Sequence, residues 1–367
     1  MKFETVKEKI YSVISKAEKV TSKNLSLPVL SCILLEVKDN QLIVKATNLD
    51  LGIEMSIPVK MESAGLVAIP GSILSSFISS LPNDELIKFE VKDGNLSVVS
   101  KNSRAVIKAV LHDDFPNIPK IDEEVVYKLS GLDVVKGFKS VWYSASVSSM
   151  KPELSSVCVY GEEENLCFVA TDSFRLAEKK IRVSKLPNFS NILIPFKNVS
   201  DILRILDDGK GEVELRYNKN QLSIVYNNNT YITSRVIDGL FPDYKQIIPK
   251  ESKTEIIVLK QDLINSLKLS NIFSDTFNQI NLKVSLEDKA LELKTKNSSV
   301  GENQNKIDGS ITGEAVEMNF NYKYIVDCFN SVDSDSVSLS FNGMAKPLVI
   351  RGVKDKSFTY IVMPMNR

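Results

Sequence analysis

A single histidine and four cysteines in 367 residues close off much chemistry at the outset. His112 by itself leaves acid/base triads and histidine-ligated zinc without their commonest participant, which moves the reading from enzyme towards binding or structural protein. Cys32, Cys158, Cys167 and Cys328 stand far apart with no CxxC pair. They indicate neither a disulfide framework nor a zinc ribbon, and they point to a reducing cytoplasm. Net charge is also missing, because 46 Lys and Arg balance 46 Asp and Glu. Any attraction to a polyanion must therefore come from local basic surface. No uncharged apolar run approaches the roughly 18 residues of a membrane span. The opening Met1-Lys2-Phe3-Glu4-Thr5-Val6-Lys7-Glu8 does not resemble a signal peptide.

What remains is ordinary globular composition, 43% hydrophobic and 25% charged. A chain of this length exceeds the roughly 250 to 300 residues of one core, so two or three domains are expected.

The chain repeats itself. Pro28-x-Leu30-Ser31 returns as Pro152-x-Leu154-Ser155, and Ala46-Thr47-Asn48 as Ala170-Thr171-Asp172. Ile69-Pro70 returns as Ile194-Pro195, Leu96-Ser97-Val98-Val99 as Leu222-Ser223-Ile224-Val225, and Phe115-Pro116 as Phe241-Pro242. A fainter third copy maps Leu166 and Thr171 onto Leu291 and Thr295, and Thr230-Tyr231-Ile232 onto Thr359-Tyr360-Ile361. Self-similarity at one period means a repeated architecture. Proline and charge accumulate at Pro119–Glu124 and Pro249–Lys253, which sets domains at 1–122, 123–250 and 251–367.

Periodicity inside each repeat is legible. Val6, Ile10, Val13, Ile14 and Ala17 recur at helical spacing, and a second helix follows Pro70 with Ile73, Leu74, Phe77, Ile78 and Leu81. Leu42–Ala46, Ile53–Ile57, Ile87–Val91, Leu96–Val99 and Ala105–Val110 alternate as strands, with a hairpin signal at Lys92-Asp93-Gly94-Asn95. The second repeat offers helical stripes at Leu132, Val135, Phe138, Trp142 and at Phe196, Val199, Ile202, Leu203, Leu206. The third offers Leu263, Ile264, Leu267 and Tyr322, Ile325, Phe329. Each repeat therefore reads as α+β, two helices on one face of an antiparallel sheet.

Catalytic signatures are missing. Gly209-Lys210 is followed by Gly211 and lacks the upstream glycine of a phosphate loop. Nucleophile elbows, zinc-protease helices and EF-hand loops do not occur. The pairs Asp113-Asp114, Glu123-Glu124 and Asp207-Asp208, and the run Glu162-Glu163-Glu164, read as solvated turns, though a metal-dependent enzyme at such a cluster is one alternative. The first helix carries Lys9, Lys16, Lys19 and then Lys23 opposite its apolar stripe. Lys136, Lys139, Lys197, Arg204, Lys260, Lys268 and Lys323 sit on the polar sides of later helices, with acids close by. Lysines without interleaved aromatics suit phosphates and not bases, so any nucleic-acid binding should be salt-sensitive and sequence-independent. A sequence-specific DNA-binding protein is a second alternative, but no Arg-, Asn- and Gln-rich recognition helix is evident.

Ala170-Thr171-Asp172-Ser173-Phe174-Arg175-Leu176-Ala177, Phe241-Pro242-Asp243-Tyr244 with Ile248-Pro249, Leu27-Pro28-Val29-Leu30 and the tail Val362-Met363-Pro364-Met365, in this order on a threefold repeat, resemble the bacterial DNA polymerase III beta subunit, the replication sliding clamp. The resemblance covers the whole chain. It implies a non-enzymatic, cofactor-free and metal-free processivity factor, a cytoplasmic homodimer closing head to tail into a ring around duplex DNA. Implied DNA-facing residues are Lys9, Lys16, Lys23, Lys136, Lys139, Ser149, Lys151 and Lys197, with Met150 in the same segment. The implied dimer joint sets Ala105 and Ile107 against Ile272 and Phe273. An implied groove for Leu/Phe-containing peptides of polymerase, clamp loader and repair proteins is lined by Leu154, Thr171, Phe174, Arg175, Leu176, Pro242, Ile247, Val362, Met363, Pro364 and Met365.

Overall fold

The computed structural model describes residues 1–22, 26–122, 125–183, 189–207, 209–249 and 251–365. The first repeat runs β1 (Lys2–Val6), α1 (Lys7–Val20), β2 (Cys32–Lys38), β3 (Gln41–Thr47), β4 (Leu51–Pro58), β5 (Lys60–Ser63), β6 (Gly65–Pro70), α2 (Gly71–Ser79), β7 (Leu86–Lys92), β8 (Asn95–Val99) and β9 (Arg104–Ile107). The second runs β10 (Tyr127–Ser130), α3 (Gly131–Val141), β11 (Ser156–Glu162), β12 (Asn165–Thr171), β13 (Arg175–Arg182), β14 (Ile192–Pro195), α4 (Phe196–Leu206), β15 (Glu212–Tyr217), β16 (Gln221–Tyr226) and β17 (Thr230–Arg235). The third runs β18 (Thr254–Leu259), α5 (Lys260–Ile272), β19 (Gln279–Ser285), β20 (Ala290–Asn297), β21 (Gly301–Asp308), β22 (Ser310–Gly313), β23 (Val316–Asn321), α6 (Tyr322–Asp327), β24 (Ser336–Phe341), β25 (Leu348–Gly352) and β26 (Phe358–Val362).

The periodicities became these elements for local reasons. Ile10, Val13, Ile14, Ala17 and Val20 of α1 are buried, so the stripe at three- and four-residue steps is the packed face. Each such buried Val or Ile side chain contributes about 1.5–3 kcal/mol. Lys7 at the start of α1 is itself buried and its Nζ donates to the carbonyls of Ser79 and Leu81 and to Asn83 Oδ1, satisfying acceptors left open where α2 ends. Asp93 and Gly94 both take positive φ, +50° and +75°, and close the β7–β8 hairpin in two residues. One stripe differs from expectation: in α3 the large apolar side chains that are buried are Val134, Val135, Phe138 and Val141, while Leu132 is exposed.

The sheets depart from one per repeat. A repeat's first strand joins its last three, while its middle strands form part of another sheet. The first repeat's β1, β7, β8 and β9, with β5, make a five-stranded sheet, and β19–β21 with β23 make a four-stranded one. Between repeats the sheets fuse. β17 pairs with β4, Ile232 opposite Ile53, in an eight-stranded sheet, and β26 pairs with β13, Tyr360 opposite Ala177, in a nine-stranded one. All ladders among the described residues are antiparallel. This sharing is why contacts group the chain into two compact units, residues 1–135 with 197–236, and 136–196 with 237–367, although its element order repeats three times.

Candidate functional site

The turn between β12 and β13 is fixed by side chains. Thr171 Oγ1 donates to Arg175 O at 2.7 Å, while Asp172 Oδ1 accepts the Phe174 and Arg175 amides at 3.0 and 2.9 Å. Ser173 takes φ +77°, and Phe174 is left 60% exposed. Arg175 is the opposite case. Its Nε donates to Asp172 Oδ2 at 3.0 Å, Nη2 to Tyr143 O at 2.7 Å and Nη1 to Asp327, and its guanidinium lies 4.8 Å from the Tyr324 ring centre. Phe174 stacks on the same ring at 6.4 Å.

The seam with the third repeat lies alongside. Arg175 and Leu176 face Val362 and Ile361 across β13 and β26, and Met363 N donates to Phe174 O at 2.8 Å. Leu176 packs with Cys158, Val169, Leu193, Ile361 and Tyr244. Tyr244 is held by Tyr160, hydroxyl to hydroxyl at 2.6 Å, and donates to buried Glu178. Burial pushes both tyrosine hydroxyls well above their usual range. Exposed Pro242 and Ile247 flank Tyr244, whose own amide and carbonyl bond them at 2.8 and 3.0 Å. Pro364 and Met365 line a cavity of about 540 Å³ with Asn281, Met318, Asn319 and Met344.

The structure thus brings Thr171, Phe174, Arg175, Leu176 and Met363 to one seam, with Pro242 and Ile247 bonded through the backbone to Tyr244 of the adjoining cluster. Val362 and Leu176, on the paired strands β26 and β13, are both buried. Leu154 is buried in the Lys151–Leu154 turn, its carbonyl accepting from Ser146 N at 2.8 Å. Tyr143, Tyr324, Asp327 and Met344 were missed. Tyr324 stands two residues from Tyr322 in the third repeat's helical stripe, but nothing in the sequence couples it to Phe174.

At the sheet edges, β9 has a partner on one side only among the described residues, as does β21. Ile107 is buried within the chain, whereas Val106 is 61% exposed and Ala105 half-buried. Ile272 is exposed and Phe273 half-buried, with Leu269 exposed one helical turn before Phe273. Among the described residues no group of three His, Cys, Asp or Glu side chains could hold a metal ion, and no helix is long and apolar enough to cross a membrane.

Family models cover almost the whole chain. The N-terminal, central and C-terminal domains of the DNA polymerase III beta subunit match residues 1–119, 130–243 and 245–366. The chain belongs to the DNA polymerase III beta subunit family. As a beta subunit it is a sliding clamp built of three clamp domains, a processivity factor and not an enzyme. It is 26% identical to a beta sliding clamp of Rickettsia felis over 362 residues, 95% of each chain. It is 23% identical to one of Staphylococcus aureus, covering 100% of this chain and 99% of that one. Solved beta subunits of Pseudomonas aeruginosa (22% identity, full coverage of both, TM-score 0.92) and Thermotoga maritima (22%, 100% and 99%, TM-score 0.93) share the fold.

The basic residues of this beta subunit are unequally available. Lys9, Lys139, Lys151 and Lys197 are exposed, as are Ser149 and Met150. Lys16 is half-buried with Nζ 5.9 Å from the Tyr226 ring centre, and Lys136 is paired with Asp333 at 3.0 Å. Lys23 lies outside the described residues. Helix α2, Gly71–Ser79, carries no charged side chain at all.

Proposed function

We propose that two copies of this clamp subunit close head to tail into a ring around duplex DNA, each contributing clamp domains at 1–122, 123–250 and 251–367. Sheet continuity carries the reading. Starting four residues before each repeat's first helix, hydrogen-bonded neighbours run Tyr127, Leu215, Ile224, Ile232 and on to Ile53 of the preceding repeat. They run Ile256, Leu339, Ile350, Tyr360 and on to Ala177. The first repeat gives Phe3, Phe89, Val98 and Ala105, and stops at the edge. The pairs before each second helix, Cys32–Pro70, Ser156–Pro195 and Gln279–Asn321, set a common frame. In that frame the counterpart of Ile53 and Ala177 is Asn303 in β21, opposite Thr295. Ala105 therefore meets Asn303 of the partner subunit. Val106, Leu269, Ile272 and Phe273 supply apolar surface there, and the joint covers two sheet edges that would otherwise pair indiscriminately.

Enclosure makes the mechanism topological. Exposed Lys9, Lys139, Lys151 and Lys197 offer phosphate contacts weak enough to slide, together with Ser149 and, when its pair with Asp333 opens, Lys136. The proposed groove at Thr171, Phe174, Arg175, Leu176, Pro242, Ile247 and Met363–Met365, with Leu154 beside it, takes Leu/Phe-containing peptides of polymerase, clamp loader and repair proteins. Rigid Arg175 anchors it, and mobile methionines adapt it to related sequences. The subunit works in the cytoplasm, where replication proceeds and its four free thiols stay reduced. Loading on nicked circular DNA followed by linearisation tests enclosure. Rapid loss through the ends is expected, and retention on cut DNA at moderate salt overturns the ring.

A further inference from the structure

Asn342-Gly343 is the one Asn-Gly pair in the chain. It opens the loop between β24 and β25, and both ends of that loop are held. Phe341 is buried on β24 opposite Thr254 of β18, and Leu348 is buried on β25 opposite Val362 of β26. Between these anchors Met344 is 79% exposed and lines the cavity of about 540 Å³ with Pro364 and Met365.

Asn342 Nδ2 is buried and has no hydrogen-bond partner among the described residues, a costly position for a donor. Gly343 takes φ +117°, where glycine alone is unstrained. Beyond its neighbours in the chain, no heavy atom of a described residue comes within 4 Å of the place its Cβ would take. The backbone there can rotate without displacing a neighbour. Other asparagines are better protected. Asn297, before Ser298, donates Nδ2 to Ser274 O at 2.8 Å, and Asn265, before Ser266, lies inside α5. A carboxamide that is hydrogen-bonded, or an asparagine wound into a helix, is held away from the amide that follows it.

We propose that Asn342 is a site of spontaneous covalent modification that reshapes the wall formed by Met344. The Gly343 nitrogen gives its proton to solvent base and attacks Asn342 Cγ. A C–N bond forms and closes a five-membered succinimide, while the Cγ–Nδ2 bond breaks and Nδ2 leaves as ammonia with a proton from solvent. One water then opens the ring. Addition at Cγ gives aspartate, and addition at the main-chain carbonyl carbon of Asn342 gives isoaspartate, whose main chain runs through the former side chain. The isoaspartate chain is longer by one bond, about 1.5 Å. With Phe341 and Leu348 fixed, that length is taken up at Met344. Both products replace the orphaned amide by a carboxyl group. The consequence for peptide docking rests on the groove reading above, since Met344 is drawn off the wall it shares with Pro364 and Met365.

Peptide mapping of the full-length protein aged in mildly alkaline buffer tests it, with an isoaspartate-specific methyltransferase to tell the two products apart. Asn342 should convert at least about ten-fold faster than Asn265 and Asn297, a barrier difference of about 1.4 kcal/mol. The rate should rise with pH, because the attacking nitrogen must lose its proton. Conversion no faster than at those two asparagines overturns the proposal. Fluorescence anisotropy with a labelled hexapeptide ending in Leu-Phe reads the consequence. Fully converted protein should bind it about four-fold more weakly for each methylene of Met344 contact that is lost. Asn342→Gln, which keeps an amide but no longer forms the five-membered ring, should bind alike before and after ageing. Equal binding by fresh and converted protein overturns the reshaping of the wall. If fresh protein binds no peptide, the groove reading fails on its own. Exchange of the Lys346 amide, bonded to Gly343 O at 3.0 Å, then decides, quickening on conversion if the loop is reshaped and unchanged if the proposal is wrong.

Discussion

The register at the head-to-tail joint can be tested to the residue. Directly opposed residues of an antiparallel pair have Cα atoms roughly 4.5 or 5.5 Å apart, inside the roughly 4.4–6.8 Å window of a disulfide. Ala105→Cys combined with Asn303→Cys should therefore oxidise to a covalent dimer holding two bridges, which runs at twice the 41.0 kDa chain mass on non-reducing gels. A slip of one residue turns the partner side chain to the other face of the sheet. Ala105→Cys with Glu302→Cys, and Ala105→Cys with Gln304→Cys, should accordingly give little product. Native thiols will not confuse the result. Cys32, Cys158, Cys167 and Cys328 are all buried and unpaired, and burial pushes the Cys158 thiol up to about 12 and that of Cys167 to about 11, leaving almost no thiolate at neutral pH. Efficient coupling by either offset pair, with none from Ala105→Cys and Asn303→Cys, would refute the sheet-row argument even if the protein proved dimeric.

Arg175→Ala should destabilise the compact unit that contains it by about 2–4 kcal/mol, because it leaves Asp172 and the Tyr143 carbonyl without their buried donor. Hydrogen exchange should quicken in β12, β13 and α6, and Arg175→Lys should not restore protection, lacking the fork that reaches three acceptors. The Lys180 and Lys245 ammonium groups hold the Glu162 carboxyl below its ordinary range. Such a group adds stability above its unfolded pKa, near 4.5, that is lost as pH falls through the folded value. Glu162→Gln should flatten the acid limb of an unfolding-versus-pH curve and leave the region above pH 6 parallel to wild type. Removing a phosphate contact lowers the slope of log K against log salt by about 0.9. Lys9→Ala with Lys197→Ala should thus reduce it by up to about 2 in loading assays, equally on unrelated DNA sequences, and an unchanged slope would remove these lysines from the DNA interface.

Which parts of this molecule could be read from residue order follows from how each is encoded. The threefold repeat was visible because motifs such as Ala46-Thr47-Asn48 and Ala170-Thr171-Asp172 hold the same turn in place. In that turn Thr47 Oγ1 bonds Leu51 O at 3.0 Å as Thr171 Oγ1 bonds Arg175 O at 2.7 Å. The hydrophobic stripes gave the helices, since a helix buries what recurs at 3.6 residues. Strand faces were harder to assign. In Arg104-Ala105-Val106-Ile107 four residues are too few for alternation to settle the faces, and Ile107 is inward beside β8 while Val106 shares the outer face with Arg104. Leu132 failed because Val134 and Val141 complete an equally good stripe one position round the helix. The Tyr324 and Asp327 contacts to Arg175 join residues about 150 positions apart, and no local pattern carries information across such a span. Sheet fusion explains both the success and the failures. Because the last strands of the second and third repeats are completed by the middle strands of the preceding one, a repeat is a unit of sequence but not of packing. Its outermost residues therefore take their surroundings partly from strands that lie far away in the sequence, as Tyr360 does opposite Ala177 and Ile232 opposite Ile53.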